Sequence, residues 1–299
     1  MTKLLVANRG EIAVRIFRTA RRMDLGCVAV YSDADVDSPF VLYADESVRI
    51  GPAPASESYL RADRIIEAAL ETGATLVHPG YGFLAESGAF AGACRDAGLT
   101  FVGPPGEVLE VMGDKARAKE LAVSAGVPVL AGYAGADQSD EAFAKAASEI
   151  GYPVLAKAAA GGGGKGMSVI ADEASLPEAL ASARRVATAA FGDGRLILER
   201  YVPDPRHVEV QVMADGHGNV IHLGERDCSL QRRHQKVLEE SPSPAVDDHL
   251  RAQLCAAAVD LARAAGYVNA GTCEFLVGAD GGFGFIEMNA RLQVEHPVT

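Results

Sequence analysis

The sequence lacks several features that would indicate a membrane or nucleic-acid partner. It has no apolar run of the length that a transmembrane helix needs, and Arg9, Arg15 and Arg18 make its first turns unlike a signal peptide. Its 28 lysines and arginines are outnumbered by 40 acidic residues, which gives a net charge of -12. We therefore expect no membrane partner and no general surface for nucleic acid.

Cysteines are few and are not arranged in pairs. The five thiols are dispersed along the chain, and no Cys-X-X-Cys pair occurs. A scattered, odd count is typical of reduced thiols, so we expect a cytoplasmic protein. Cys228 lies in a charged segment, but no partner for a nucleophile can be identified around it, and we expect a structural role.

Two common nucleotide-binding signatures are also absent. The turn after the apolar segment 3–7 contains only Gly10, whereas a dinucleotide-binding fingerprint needs three glycines. The glycine-rich segment 161–166 is followed by an apolar segment, not by the Lys-Ser/Thr and helix of a Walker loop. The sequence therefore favours neither a Rossmann nicotinamide site nor a P-loop.

The first part of the chain alternates short apolar segments with amphipathic ones. Helices are predicted between these apolar segments, and His78 at the end of one of them is expected to have a structural hydrogen-bonding role. This order is typical of an open parallel α/β sheet. The strands are predicted at residues 3–7, 27–31, 75–77 and 100–102.

A run of four glycines lies between the predicted strands 154–157 and 168–170, with Lys157 and Lys165 on either side. Consecutive glycines are costly to order, and such a loop suits a lid whose N–H groups close over phosphates when a ligand binds. A plain flexible hairpin is the alternative, and the two lysines favour phosphate. The strand predicted at 195–202 lies where a purine could be recognised, with Glu199 accepting from an amino group.

Residues 225–236 form the densest basic cluster of this acidic chain and follow a predicted antiparallel hairpin. His234 and Lys236 alternate with polar neighbours, and the cluster has no apolar helical face. A solvated loop is the alternative, because runs of charge are usually exposed. The pattern favours anion binding.

The last thirteen residues carry the clearest pattern in the chain. In a continuous extended segment, side chains at every second position lie on one face. Upstream, the β-rich runs 272–277 and 284–288 flank a glycine turn, which predicts a hairpin with Glu274 and Glu287 on neighbouring strands. The alternating polar positions are Glu287, Asn289, Arg291, Gln293 and Glu295.

These groups suit the chemistry of phosphate and oxyanions. Paired carboxylates with an amide oxygen are ligands for Mg²⁺ or Mn²⁺. Arg291 could clamp an anion through its planar fork, and Glu295 could move a proton. A solvated strand face is the alternative. Together with the glycine lid, they predict ATP-driven activation of an oxyanion.

At this point the sequence resembles biotin carboxylase, the ATP-grasp component of acyl-CoA carboxylases, from end to end. The resemblance implies an α/β chain with an ATP-grasp fold, preceded by an open parallel, Rossmann-like domain. It divides the chain into 1–113, 114–202 and 203–299, the last incomplete at its C-terminal end. The motifs that carry it are residues 8–13, 78–84, the glycine loop, 226–236 and 287–297.

The resemblance also implies roles for individual residues. The implied ligands of Mg²⁺ or Mn²⁺ are Glu274, Glu287 and Asn289. The implied bicarbonate site contains Lys236, Arg291, Gln293, Val294 and Glu295, with Glu295 as the base and Arg291 as the catalytic cation. Contacts to ATP are implied for Lys115, Lys157, Gly163, Gly164, Glu199, Val202 through its backbone, His207, Gln231 and His234.

The reaction implied by the resemblance has two steps. Bicarbonate attacks the γ-phosphate of ATP to give carboxyphosphate, whose breakdown delivers CO₂ to the ureido nitrogen of biotin. Biotin would belong to a separate carrier protein or domain, because the chain has no Ala-Met-Lys-Met acceptor. A carboxyltransferase subunit, which would select the acyl-CoA, and a homodimer of the full-length form are also implied.

The sequence departs from the family pattern in two places. Ala160 replaces the first glycine of the loop and Lys165 stands where arginine is common, and phosphate binding is expected to survive both changes. The family's third domain continues well past Thr299 and supplies an arginine that steadies the biotin enolate. The chain is therefore expected to be a fragment or to be completed by another chain. The alternatives are another ATP-grasp ligase, of the carbamoyl-phosphate or amino-acid kind, and an ATP-binding fragment without turnover.

Overall fold

The computed structural model describes residues 2–159, 167–232 and 235–299. These residues form two five-stranded sheets and one four-stranded sheet, with helices packed against each. The predicted mixed α/β architecture is confirmed. Among the helices of the described residues, none has the length and apolar character to cross a bilayer.

The first sheet is parallel throughout and has the order β3-β2-β1-β4-β5. This agrees with the open parallel sheet expected from the sequence. The third strand in chain order was missed, because half of its residues are exposed and it has no apolar run. The strands are β1 (Lys3–Val6), β2 (Gly26–Ser32), β3 (Glu46–Gly51), β4 (Leu76–His78) and β5 (Thr100–Phe101).

Helices cover both faces of this sheet. Apolar residues recur on one side of the first helix, among them Ile12 and Ile16, so that helix buries this face against the sheet. Ile65 and Phe90 of two later helices fill the opposite face. The helices are α1 (Gly10–Arg22), α2 (Pro39–Tyr43), α3 (Ala62–Thr72) and α4 (Gly88–Asp96).

Two of the sequence motifs, residues 8–13 and 78–84, meet where β1 and β4 end. The buried amide of Asn8 donates to the carbonyls of Pro79 and Tyr81, at 2.8 and 2.7 Å. Gly80 has a φ of +66°, and a Cβ there would lie 2.9 Å from the Asn8 amide nitrogen, so this close approach requires glycine. His78 accepts from the Gly80 N–H at 2.9 Å, which confirms its structural role.

Two helices, α5 (Gly106–Gly113) and α6 (Lys115–Ser124), connect the first sheet to the rest of the chain. Asp114 caps α6 by accepting from the N–H groups of Ala116 and Arg117, at 2.9 and 3.1 Å. Both helices contribute to the core under the C-terminal sheet. The division of the chain at residues 113 and 114 therefore separates two helices that share a core, and the domain boundaries stay a prediction.

The middle unit has a four-stranded antiparallel sheet of order β6-β9-β7-β8. The predicted hairpin on either side of the glycines is confirmed, with Leu155 opposite Val169, whereas the glycine lid itself lies outside the described residues. Phe143 and Leu180 pack two helices against one face. The elements are β6 (Gly132–Tyr133), α7 (Asp140–Ile150), β7 (Val154–Ala158), β8 (Ser168–Ile170), α8 (Leu176–Phe191) and β9 (Leu196–Arg200).

The third sheet is antiparallel, with the order β12-β11-β10-β13-β14. Leu254 and Leu261 of its helix pack on apolar residues such as Phe275 of one sheet face. Buried charged groups occupy neighbouring positions on its strands. The elements are β10 (Arg206–Ala214), β11 (Val220–Arg232), β12 (Gln235–Glu240), α9 (Asp248–Ala264), β13 (Asn269–Val277) and β14 (Phe283–Asn289).

The predicted hairpin is confirmed, with Glu274 and Glu287 on the neighbouring strands β13 and β14, and the structure places the two residues directly opposite each other. The extended segment ends at Asn289, however, so the prediction of one continuous alternating face as far as Glu295 is wrong. The N–H of Ala290 donates at 3.0 Å to the carboxylate of Glu86, in the segment between β4 and α4, in place of a further strand partner, and the chain then turns. The later side chains are therefore gathered by a turn and not by a strand.

Shortening Leu254 to alanine should destabilise the chain by about 2–5 kcal/mol, because this fully buried side chain would leave a cavity between α9 and the sheet. Urea unfolding followed by circular dichroism measures the loss. Leu70→Ala on α3 is the control, since Leu70 is 55% exposed and should change stability by less than about 0.5 kcal/mol. Equal losses in the two variants would contradict the packing of α9.

Candidate active site

The side chain of Lys236 on β12 lies among three carboxylates. Its ammonium contacts Glu295 at 2.8 Å, Glu274 at 3.0 Å and also Glu209. Burial works against the charged form, but Glu274 and Glu209 outweigh it and raise the pKa of Lys236 above its usual value. Lys236 is therefore a protonated centre that joins strands β10 and β13 to the C-terminal turn.

A fully buried arginine forms an ion pair with one of these carboxylates, Glu209. Arg226 on β11 lies opposite Glu209 on β10, and its Nε donates to Glu209 at 2.6 Å. Its two other nitrogens donate to Gln211 at 2.9 Å and to Thr272 at 3.2 Å. Arg226 was predicted to belong to a basic cluster for anion binding. Its burial and these partners instead give it a structural role within the site.

Glu274 is the most heavily contacted carboxylate of the site. One oxygen accepts from Asn289 at 2.6 Å and from Lys236, and the other lies 2.8 Å from Nε2 of His207. Burial would raise the pKa of Glu274, but His207 and Lys236 outweigh burial and lower it, so the carboxylate is ionised. Gln231 contacts Nδ1 of His207 at 3.1 Å. Two residues predicted to contact ATP are thus connected to a predicted metal ligand.

The three predicted metal ligands are brought together. Glu274 and Glu287 face each other across the hairpin, and Asn289 lies two residues further along β14. Lys115 at the start of α6 contacts Glu287 at 3.2 Å. Two carboxylates and an amide oxygen among cationic side chains fit Mg²⁺, which takes few carboxylates and completes its shell with water and phosphate oxygens. The metal role of these residues stays a prediction.

The predicted anion clamp, Arg291, is fixed in the turn after β14. Its guanidinium donates to Glu86, in the segment between β4 and α4, at 2.9 Å, to Asn289 at 2.9 Å and to the side-chain oxygen of Gln293 at 3.1 Å. Gln293 is 3% exposed, and within the described parts of the chain its amide nitrogen has no hydrogen-bond partner. Such a buried donor is costly unless a ligand or water satisfies it, so this amide suits an anion.

The predicted base, Glu295, completes this group. Burial alone would raise its pKa, but the hydrogen bond and charge of Lys236 lower the pKa of Glu295 below its usual value. The carboxylate is therefore ionised at neutral pH, as a proton acceptor must be. Val294 differs from its neighbours, because its side chain is 60% exposed and only its backbone could contribute.

A second group of charges lies on the middle unit. Glu199 on β9 is buried, and its two oxygens contact two different lysines, Lys119 of α6 and Lys157 of β7. Burial opposes ionisation of Glu199, but Lys157 and Lys119 outweigh it and lower its pKa. Val202, two residues beyond the end of β9, is half-buried.

Helix α6 connects the two groups. Lys115 and Lys119 are one turn apart on it, so Lys119 faces Glu199 while Lys115 faces Glu287. Oppositely charged groups therefore follow one another from the middle unit to the C-terminal turn. The described residues of the predicted site lie along this path, whereas Gly163, Gly164 and His234 lie outside the described residues.

Sequence reasoning missed three residues of this arrangement. Lys119 could have been found from its position four residues after Lys115 on a predicted helix. Glu209 occupies a polar position in the alternating segment 207–213, which was interpreted only as a strand. Glu86 has no such signal, because its partner Arg291 lies 205 residues further along the chain.

Two protein families match the chain. The family "Carbamoyl-phosphate synthase L chain, ATP binding domain" matches residues 114–299, which defines an ATP-grasp protein. The family "Biotin carboxylase, N-terminal domain" matches residues 1–109. Together with the relatives described next, these matches show that the chain belongs to the biotin carboxylase family.

Curated relatives are similar over the whole chain. The methylcrotonoyl-CoA carboxylase subunit alpha of Dictyostelium discoideum is 53% identical over 299 residues, which are 100% of this chain and 43% of that protein. Biotin carboxylase 2 of Populus trichocarpa is 53% identical over 99% of this chain and 56% of its own length. The chain thus spans about half the length of these curated relatives.

Solved structures show the same fold. The biotin carboxylase of Campylobacter jejuni, solved as a β-γ-ATP complex, has a TM-score of 0.96 and 51% identity over 99% of this chain and 67% of its own. The biotin carboxylase domain of 2-oxoglutarate carboxylase from Hydrogenobacter thermophilus has a TM-score of 0.94 and 48% identity, over 99% of this chain and 65% of its own. That domain was solved as a dimer with MgADP, ADP and bicarbonate.

Replacing Arg226 by methionine should destabilise the chain by about 3–5 kcal/mol, because it removes one partner of a fully buried ion pair with Glu209. Urea unfolding of the variant and of the unmodified chain measures the difference in the free energy of unfolding. Arg49→Met is the control, since Arg49 forms a two-pronged contact with Asp33 at 2.6 and 2.8 Å that is exposed to solvent. We expect no measurable change in that variant. A loss for Arg226→Met as small as that of the control would contradict the assignment.

Proposed function

We propose that the chain catalyses the ATP- and bicarbonate-dependent carboxylation of biotin on a carrier protein or domain, the first half-reaction of an acyl-CoA carboxylase. One observation carries the proposal. Lys236 contacts Glu274, a candidate metal ligand, at 3.0 Å and Glu295, the candidate base, at 2.8 Å. A candidate phosphate-metal site and a candidate oxyanion site therefore adjoin one ammonium, and transfer of phosphate to bicarbonate needs these two reactants to be neighbours.

ATP would lie between the middle unit and the third sheet. Lys115 and Lys157 are the proposed phosphate contacts, and Glu199 would accept from the adenine amino group. The β-γ-ATP complex of the C. jejuni relative supports a nucleotide as ligand. The remaining proposed contacts are Val202 through its backbone, His207, Gln231, Gly163, Gly164 and His234.

Glu274, Glu287 and Asn289 would hold Mg²⁺ or Mn²⁺. A bound metal ion would neutralise charge on the phosphate oxygens during transfer. The magnesium salt of ADP in the H. thermophilus relative supports Mg²⁺. Lys115 and Lys236 would then keep the two glutamates oriented, since each contacts one of them.

Bicarbonate would lie against Arg291, Lys236 and the unsatisfied amide of Gln293. The arginine fork and the amide orient the anion, and the ionised carboxylate of Glu295 accepts its proton. The freed oxygen then bonds to the γ-phosphorus as the bond to ADP breaks, which gives carboxyphosphate. Carboxyphosphate then breaks down to CO₂ and inorganic phosphate, and the ureido nitrogen of biotin bonds to CO₂ as its proton passes to the released phosphate. The bicarbonate in the H. thermophilus relative supports bicarbonate as the substrate.

The proposed partners follow from the same reaction. Biotin would arrive on a carrier, and a carboxyltransferase subunit would use the carboxybiotin. The dimer of the H. thermophilus domain supports a homodimer of the full-length protein.

All five cysteines are free and buried, which fits reduced thiols and a cytoplasmic protein. Some relatives are named mitochondrial or chloroplastic, so organelles are the alternative location.

The experiment that tests the function measures ADP release by the 299-residue chain with Mg²⁺ and ATP, with and without bicarbonate and free biotin. We expect bicarbonate and biotin to raise the rate. Stimulation by ammonia or an amino acid in their place would instead support another ATP-grasp ligase. ATP binding without stimulation, here and in a longer form of the protein, would refute the carboxylase.

Replacing Glu295 by glutamine should lower bicarbonate-stimulated ADP release by about 10²–10⁴-fold, because the site loses its proton acceptor. The affinity for ATP, measured by calorimetry, should change little. Glu149→Gln on α7 is the control, since this carboxylate is exposed and remote from the site. Near-normal stimulated turnover in Glu295→Gln would show that Glu295 is not the base.

A further inference from the structure

Lys119 is a buried cation to which neither the family motifs nor the proposed reaction gives a role. It lies on α6, and its side chain is only 14% exposed. Its ammonium contacts one oxygen of Glu199 on β9, whose side chain is 2% exposed. The ammonium of Lys157 contacts the other oxygen. One buried carboxylate is therefore shared by two lysines from different units of the chain.

This arrangement has an excess of positive charge. Lys115 lies one turn before Lys119 on the same helix and pairs with Glu287, so three ammonium groups face only two carboxylates near a helix N-terminus, where positive charge is disfavoured. Burial lowers the pKa of Lys119, and repulsion by Lys157 and Lys115 adds to that effect, while Glu199 opposes it. An incoming anion that drew one lysine away would relieve this repulsion.

Of the two lysines on Glu199, Lys157 is the one whose side chain could transfer to a bound phosphate. It lies near the end of β7, four residues before the glycine-rich segment, and is a proposed phosphate contact. Lys119 is held by its helix, whose neighbouring residues Ala118 and Ala122 are packed in the core under the third sheet. When phosphate binds Lys157, the oxygen of Glu199 that Lys157 leaves becomes a free acceptor, while Lys119 stays on the other oxygen.

We propose that Lys119 is a positioning residue for adenine recognition: it remains on Glu199 when Lys157 transfers to phosphate, and so holds the carboxylate ionised with one oxygen free for the 6-amino group of adenine. This inference rests on the proposed function. Without Lys119, Glu199 either keeps Lys157 from the phosphate or remains buried without a counter-ion. Both outcomes weaken the preference for a purine that carries a 6-amino group over one that lacks it.

The test compares ATP with purine riboside triphosphate, which lacks only the 6-amino group, by calorimetric titration of the 299-residue chain. In the unmodified chain we expect ATP to bind roughly 10–100-fold more tightly, the usual worth of a hydrogen bond to a charged group. In Lys119→Met the two nucleotides should bind within about threefold of each other, and Lys119→Arg should restore most of the preference.

The control is Lys145→Met on α7, an exposed lysine whose loss should leave the preference unchanged. If Lys119 had a merely structural role, its loss would weaken the binding of both nucleotides equally. An unchanged ratio of the two affinities in Lys119→Met would therefore overturn the inference. If that variant does not fold, Lys119→Gln carries the same comparison, and an unchanged ratio there would have the same meaning. Failure of the unmodified chain to bind ATP would overturn the proposed function itself, and this inference with it.

Discussion

The contact of the Lys236 ammonium with three carboxylates is the interaction on which the candidate site depends. Glu209, Glu274 and Glu295 come from two strands and from the turn after the last strand. Their negative charges would repel one another, and buried charges are stable only when they are paired. A single side chain therefore fixes the relative positions of three segments of the chain. The orientation of the candidate metal ligands and of the candidate base follows from this one contact.

Cations and anions alternate from this centre to the middle unit. Lys115 contacts Glu287, and Lys119 and Lys157 contact Glu199, so the charged groups of the site are paired before any substrate binds. A polyphosphate and its metal ion would exchange partners with these groups, and would not have to neutralise charges that had been buried unpaired. Ligand binding in such a site costs less, because each displaced contact is replaced by another of the same kind.

The sequence predicted most of the elements, because their signals are local, whereas most individual site residues were implied only by the family resemblance. The β-rich runs around Glu274 and Glu287 indicate a hairpin, but the pairing of these two residues also depends on an irregularity between Glu274 and Phe275, which has no signal in the sequence. Prediction failed where the partner is distant in the chain. The end of β14 at Asn289 depends on a carboxylate in the segment between β4 and α4, which no local pattern reveals. Arg226 was predicted to belong to an anion-binding basic cluster. Its partner Glu209 becomes evident only when β10 and β11 pair, because the two residues lie on different strands.

The contacts of Glu86 have a consequence for how the protein can be divided. Glu86 lies in the part of the chain that matches the biotin carboxylase N-terminal family, while its partners Ala290 and Arg291 lie in the part that matches the ATP-binding family. The border between the two families thus runs through the candidate site. A gene fusion or domain exchange made at that border would have to bring a matching acid with the foreign N-terminal module, or Arg291, the candidate anion clamp, would lose its orientation.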